Sequence, residues 1–141
     1  MSEENVETVR RYYDEGFNAF MRGDLSSEAY AETFDPEVEM RWHERIYPDT
    51  PERLAGVSEV IAFSAQYRDE WEDLVAEPLE VIEASDDRVI ALIRQSGRGR
   101  QSGVPIVIHF YTLSMIRDGK WRTVEYFRHR AEALEAAGLS V

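Results

Sequence analysis

Residues 106–129 read IVIHFYTLSMIRDGKWRTVEYFRH, two strand-like runs on either side of Arg117-Asp118-Gly119-Lys120. Asp-Gly between such runs signals a two-residue type I′ hairpin, because both central residues need φ > 0. With Asp118 and Gly119 as those residues, Ile116 falls opposite Trp121, Thr112 opposite Glu125 and Ile108 opposite His129. One face then carries Ile108, Phe110, Thr112, Ser114, Ile116, Trp121, Thr123, Glu125, Phe127 and His129. The other carries His109, Tyr111, Leu113, Met115, Arg122, Val124, Tyr126 and Arg128. A slip of one residue exchanges the two sets. Both faces hold large apolar side chains, so one is expected to pack on the rest of the chain and the other on a second copy.

Outward from the hairpin, Leu79–Ala84 and Arg88–Arg100 read as two further strands joined at Asp86-Asp87, and Ser102-Gly103 makes the next turn. Pro105 sits at a strand start, where proline is tolerated. Towards the amino terminus the period changes. Val6, Val9, Tyr13, Phe17 and Phe20 form one stripe at helical spacing over residues 3–22, with Gly16 inside it and Gly23 as the stop. Asp24 or Ser26 caps a second helix running through Phe34, with Leu25, Ala29 and Tyr30 inward. After Asp35-Pro36, the alternation of Val38, Met40 and Trp42 with charged residues gives a short strand. Residues 44–56, with Pro48, Pro51 and Gly56, read as a loop. A third helix covers 57–73, with Val60, Ile61, Phe63, Ser64, Tyr67 and Trp71 on its apolar face. Ala131–Ala137 forms a terminal helix. The order helix, helix, strand, helix, then four antiparallel strands is α+β, a curved sheet packed on about three helices.

The 141 residues suit a single domain, 1–141, with an ordinary core. The absence of cysteine excludes disulfide and thiol chemistry. The net charge of −12 is uneven: residues 1–87 are acidic, whereas 88–141 hold 9 bases against 4 acids. Such a chain repels phosphate backbones, so nucleic acid is not an expected partner. No apolar run is long enough to span a membrane, and MSEENVETVRR has no signal-peptide character. A cytoplasmic protein is expected.

Several segments carry a family resemblance: Arg22-Gly23-Asp24, Phe34-Asp35-Pro36, Trp71-Glu72-Asp73, Ser102-Gly103-Val104, Arg117-Asp118-Gly119-Lys120, and the tail from Ala131 to Leu139. With the element order, they make the chain resemble the SnoaL-like polyketide-cyclase group. That group belongs to the cone-fold superfamily of nuclear transport factor 2, ketosteroid isomerase and scytalone dehydratase. The resemblance implies an apolar pocket between the helices and the concave side of the sheet, for a small hydrophobic molecule. It also implies acid-base chemistry of the isomerase, cyclase or dehydratase kind, or binding without chemistry. Counting from the shared landmarks puts Thr112 and Trp42 on the concave side. The positions matching the catalytic groups of ketosteroid isomerase hold Gly16, Thr112 and Trp42, so that activity is not implied. Many SnoaL-like relatives carry an aspartate just before the terminal helix, where this chain has His129.

The candidate catalytic residues are accordingly His129, Glu125 and Tyr13. An imidazole titrates near neutrality, a buried carboxylate has a raised pKa, and a phenol donates a hydrogen bond. The opposing readings are a histidine at the strand rim, a Glu125 ion pair with Arg122 or Arg128, and a core tyrosine. The expected walls are Trp42, Phe110, Thr112, Ser114, Trp121, Thr123 and Phe127. His43 and His109 fall on other faces, and three scattered histidines do not make a metal centre, so no metal and no cofactor is expected.

Overall fold

The structure, a computed structural model, describes residues 2–46 and 50–139. Pro48 of the expected loop lies outside them. The expected α+β architecture is borne out. Six strands form one sheet in the order β2-β1-β6-β5-β4-β3. They are β1 (Phe34–Trp42), β2 (Arg53–Ala55), β3 (Trp71–Glu83), β4 (Arg88–Gly99), β5 (Pro105–Arg117) and β6 (Lys120–Phe127). Neighbours are antiparallel except β1 and β6, which run parallel.

The first helix is one rod with an irregular middle. α1 (Ser2–Arg11) passes through a π-helical turn (Tyr12–Phe17) into α2 (Asn18–Arg22). The Asn18 N–H donates to the Tyr13 carbonyl five residues back, so the turn holds one residue more than an α-helix would. Tyr12 and Tyr13 therefore both face the sheet and are buried. Gly23, at φ 84°, stops the rod in the left-handed conformation. Asn18 then locks it to β3: its amide donates to the Ala76 carbonyl at 2.9 Å and accepts from the Ala76 N–H at 2.8 Å.

Two boundaries differ from the sequence reading. The second helix, α3 (Ser27–Ala31), is capped by Ser26, one of the two candidates, but it ends before Phe34, which already opens β1. α4 (Val57–Glu70) ends before Trp71, which begins a β3 that runs straight through Pro78. Proline is tolerated there because β3 is the sheet edge and Pro78 sits at a register shift. α5 (Arg130–Ala136) closes the chain.

The helices divide between the two faces of the sheet. The rod, α3 and α4 cover the concave face, burying Phe20, Tyr30 and Val60 against Val38, Ile93 and Trp121. α5 covers part of the convex face, where Ala133 and Leu134 pack on Ile90, Leu113 and Phe127.

Candidate ligand-binding site

The hairpin decides what faces the cavity. Its turn is as expected, with Asp118 at φ 52°, Gly119 at φ 75°, and Ile116 opposite Trp121. Then the register shifts. Met115 pairs with Thr123, Ser114 with Val124 and Thr112 with Tyr126, leaving Arg122 as an extra residue. This is a β-bulge, and it turns every later β6 side chain to the opposite face. A matching irregularity lies alongside on β1, between Phe34 and Glu39, and the Arg122 guanidinium donates to the Glu37 carbonyl at 2.6 Å.

The expected faces are corrected accordingly. Thr123, Glu125 and Phe127 lie on the convex side, and Val124 and Tyr126 on the concave side, opposite Met40 and Trp42 of β1. Glu125 accepts a 2.8 Å hydrogen bond from His43 rather than pairing with Arg122 or Arg128, and the His43 ring stacks on Phe127 at 4.7 Å. His129 is exposed, immediately before α5. The chain leaves the sheet after Phe127, so the imidazole does not reach the cavity. Tyr13, Trp42 and Phe110 do line it. Thr112, Ser114 and Trp121 are buried on the concave side behind its wall.

The cavity lies between the rod and α4 on one side and the sheet on the other, with a volume of about 50 Å³. Tyr12, Tyr13 and Phe17 come from the π-helical turn and Met21 from α2. Tyr30 comes from α3, and Phe63, Ser64 and Tyr67 from α4. The sheet adds Met40, Trp42, Gln95, Phe110 and Tyr126. Trp42 and Tyr126 are stacked with centroids 4.3 Å apart and planes 5° apart. Tyr126 was assigned to the other face by the turn-based register. Tyr12 lies off the regular helical stripe, so neither carries a local signal of its place.

The polar groups in this wall include two hydrogen-bonded pairs and one buried donor without a partner among the described residues. The Tyr12 and Tyr30 hydroxyls share a hydrogen bond at 2.7 Å, and Gln95 donates to the Tyr67 hydroxyl at 2.5 Å. The indole N–H of Trp42 is buried and has no hydrogen-bond partner among the described residues. Burial pushes the Tyr30 phenol up to about 12. It raises Tyr13, Tyr12 and Tyr67 well above the ordinary phenol range, with Tyr30 adding to the effect on Tyr13 and Tyr12. These phenols are neutral at physiological pH. No carboxylate or imidazole lines the cavity among the described residues. The arrangement can donate hydrogen bonds to a guest, but it holds no group that takes up a proton near neutrality.

The Gly16 position fits the same packing. A Cβ there would come 3.3 Å from the Tyr12 ring, a tight contact, so the glycine lets that ring lie against the rod.

This cone of helices on a curved sheet also appears in known proteins. The SnoaL-like domain profile matches residues 9–124. The chain belongs to the SnoaL-like family. None of the curated proteins matches it at a significant level. Among solved structures it is similar to a protein from Jannaschia sp. CCS1 assigned as a SnoaL-like polyketide cyclase, at 24 % identity and a TM-score of 0.73, covering 99 % of this chain and 95 % of that one. A Bacillus subtilis protein assigned as an isomerase matches at 19 % identity and TM-score 0.73, covering 98 % and 95 %. TerC, crystallised with polyporic acid, matches at 20 % identity and TM-score 0.69, covering 96 % and 98 %. At these identities the likeness shows the nuclear transport factor 2-like fold of the SnoaL-like chain. No helix among the described residues is long and apolar enough to cross a membrane.

Proposed function

We propose that this SnoaL-like protein binds a small, flat, apolar molecule that bears a hydrogen-bond acceptor, and that it does so without proton-transfer chemistry. The observation that carries the reading is the Trp42 indole N–H, buried in an aromatic wall without a partner among the described residues. A buried donor left unpaired costs roughly 1–3 kcal/mol, a cost that a guest carbonyl or ether oxygen removes. Mostly apolar, aromatic walls with a few placed polar groups are what such a ligand selects. The cavity is too small for an aromatic ring as it stands, so the guest displaces side chains at the wall. The lack of a lining carboxylate or imidazole favours binding over isomerase or cyclase chemistry, and ketosteroid isomerase turnover is not expected.

The test is tryptophan fluorescence titration with an aromatic ketone such as acetophenone, and with polyporic acid, the compound present with TerC. Saturable quenching is expected in the unaltered protein, and isothermal titration calorimetry should show affinity at least 10-fold weaker in Trp42→Phe, which keeps an aromatic side chain and removes the N–H donor. Failure of both probes to saturate, together with native mass spectra of freshly purified protein that carry no small molecule, overturns the reading.

We also infer a homodimer. The reason is changed from the sequence reading, because the bulge takes Val124 and Tyr126 inside and α5 covers Leu113. Away from α5, the convex face still carries Val75 and Val107 in one cross-strand row, 39 % and 52 % exposed, with Leu92 opposite Tyr111 further along. An isologous contact covers such a face with a second copy of itself. Sedimentation at micromolar concentration distinguishes dimer from monomer, and a monomer mass ends the inference.

A further inference from the structure

We propose that Glu44, His129 and Glu132 form a binding site for a divalent transition-metal ion at the end of the sheet, separate from the aromatic cavity. The carboxylate oxygens and the imidazole nitrogen of these three residues all lie within 4.8 Å of one another. The sequence reading weighed histidines alone and so expected no metal; here one histidine converges with two carboxylates.

The topology explains why residues so far apart in sequence meet. β1 and β6 are parallel neighbours with Trp42 beside Tyr126, so both strands leave the sheet at the same end. Glu44 follows β1 by two residues, and His129 follows β6 by two. The Arg128 N–H donates to one Glu44 carboxylate oxygen at 3.0 Å and fixes that side chain over the second strand exit. Glu132 comes from the first turn of α5, which is held by the Ala133 N–H donating to the His129 carbonyl at 3.3 Å.

A second observation points to a cation. Glu132 Oε1 is shut off from solvent and has no hydrogen-bond partner among the described residues. A shielded carboxylate oxygen without a donor is costly, and a metal ion supplies what it lacks. Arg130, two residues before Glu132, is engaged by Glu80 instead.

The donor set selects the ion. One imidazole with two carboxylates suits zinc, manganese, cobalt or ferrous iron, whereas magnesium prefers oxygen ligands and keeps several waters. Metal–ligand bonds of roughly 2.0–2.2 Å require the three donors to draw slightly closer than they stand here. His129 is exposed, so the remaining coordination positions are open to water. Bound metal ties the segment after β1 to α5.

Chelator-treated full-length protein titrated with Co²⁺ and Zn²⁺ tests the site. Expected are one equivalent bound, visible-range Co²⁺ absorption that Zn²⁺ abolishes and a tenfold excess of Mg²⁺ does not, and a higher Tm with Zn²⁺. His129→Asn and Glu132→Gln should each weaken binding at least tenfold with unchanged circular dichroism. Glu44→Gln provides a second route should Glu132→Gln fail to fold. Glu28→Gln, an exposed carboxylate on α3, should leave binding unchanged. Absence of a saturable one-equivalent isotherm, or equal binding by the ligand variants and Glu28→Gln, overturns the proposal.

Discussion

Two stacked pairs stand side by side where β1 and β6 leave the sheet and sit in opposite surroundings. Trp42 and Tyr126 stack on the concave face, and their immediate neighbours His43 and Phe127 stack on the convex face. In the concave pair the indole N–H is buried and has no partner among the described residues. In the convex pair the imidazole is 32 % exposed and bonded to Glu125. The difference teaches that in a strand one step along the chain is a change of environment, and here a single extra residue, Arg122, decides which β6 ring lies on the inner side.

The strongest way to break this contrast is to remove the bulge. Deleting Arg122 would return β6 to the register set by the turn, sending Glu125 and Phe127 into the helix-covered face and Tyr126 out. The cost of burying the Glu125 carboxylate and exposing the Tyr126 ring exceeds ordinary domain stability. We expect no cooperative thermal transition and no near-ultraviolet circular dichroism. A native-like melt would mean that β6 tolerates either register.

Truncating each inward ring in turn sharpens the comparison. Tyr126→Ala and Phe127→Ala should each cost roughly 3–5 kcal/mol in denaturant unfolding, since both remove a packed aromatic side chain. Only Tyr126→Ala should also change ligand titrations, because Phe127 packs under α5.

The cavity phenols give the contrast a pH dependence. A tyrosine that ionises less readily in the folded than in the unfolded chain contributes stability that is complete below about pH 10 and is lost as pH rises through its folded value. Tyr30, pushed up to about 12, and Tyr12, Tyr13 and Tyr67 all act in that direction. Absorbance at 295 nm should show these four ionising only together with alkaline unfolding, above about pH 10. Independent titration of all tyrosines near 10 in the folded protein would contradict their burial.

The smallest effect is expected on the convex side. Glu125→Gln weakens a partly exposed pair with His43 and should cost about 1 kcal/mol or less, without changing ligand affinity. A large loss of affinity would return Glu125 to the site.

Much of the fold was legible because its causes are local. Asp118-Gly119 demands positive φ and so fixes the turn; Val38, Met40 and Trp42 alternate with charges and so fix which side of β1 is buried; Ser26 presents the cap that starts α3. Of the site, Tyr13, Trp42 and Phe110 were legible, since each follows from regular periodicity near its landmark. The rest depended on partners distant in sequence. The bulge at Arg122 arises where β6 meets the irregular Asp35-Pro36 segment of β1, with Trp121 buried against Tyr12. Tyr12 itself turns inward only because the rod, pinned to β3 through Asn18, takes up a π-helical turn. Glu44 and His129 meet because β1 and β6 are parallel neighbours, a pairing between the two ends of the chain. Local residue types choose turns, caps and alternation, whereas an added residue in a strand or helix is decided by what the neighbouring element must bury.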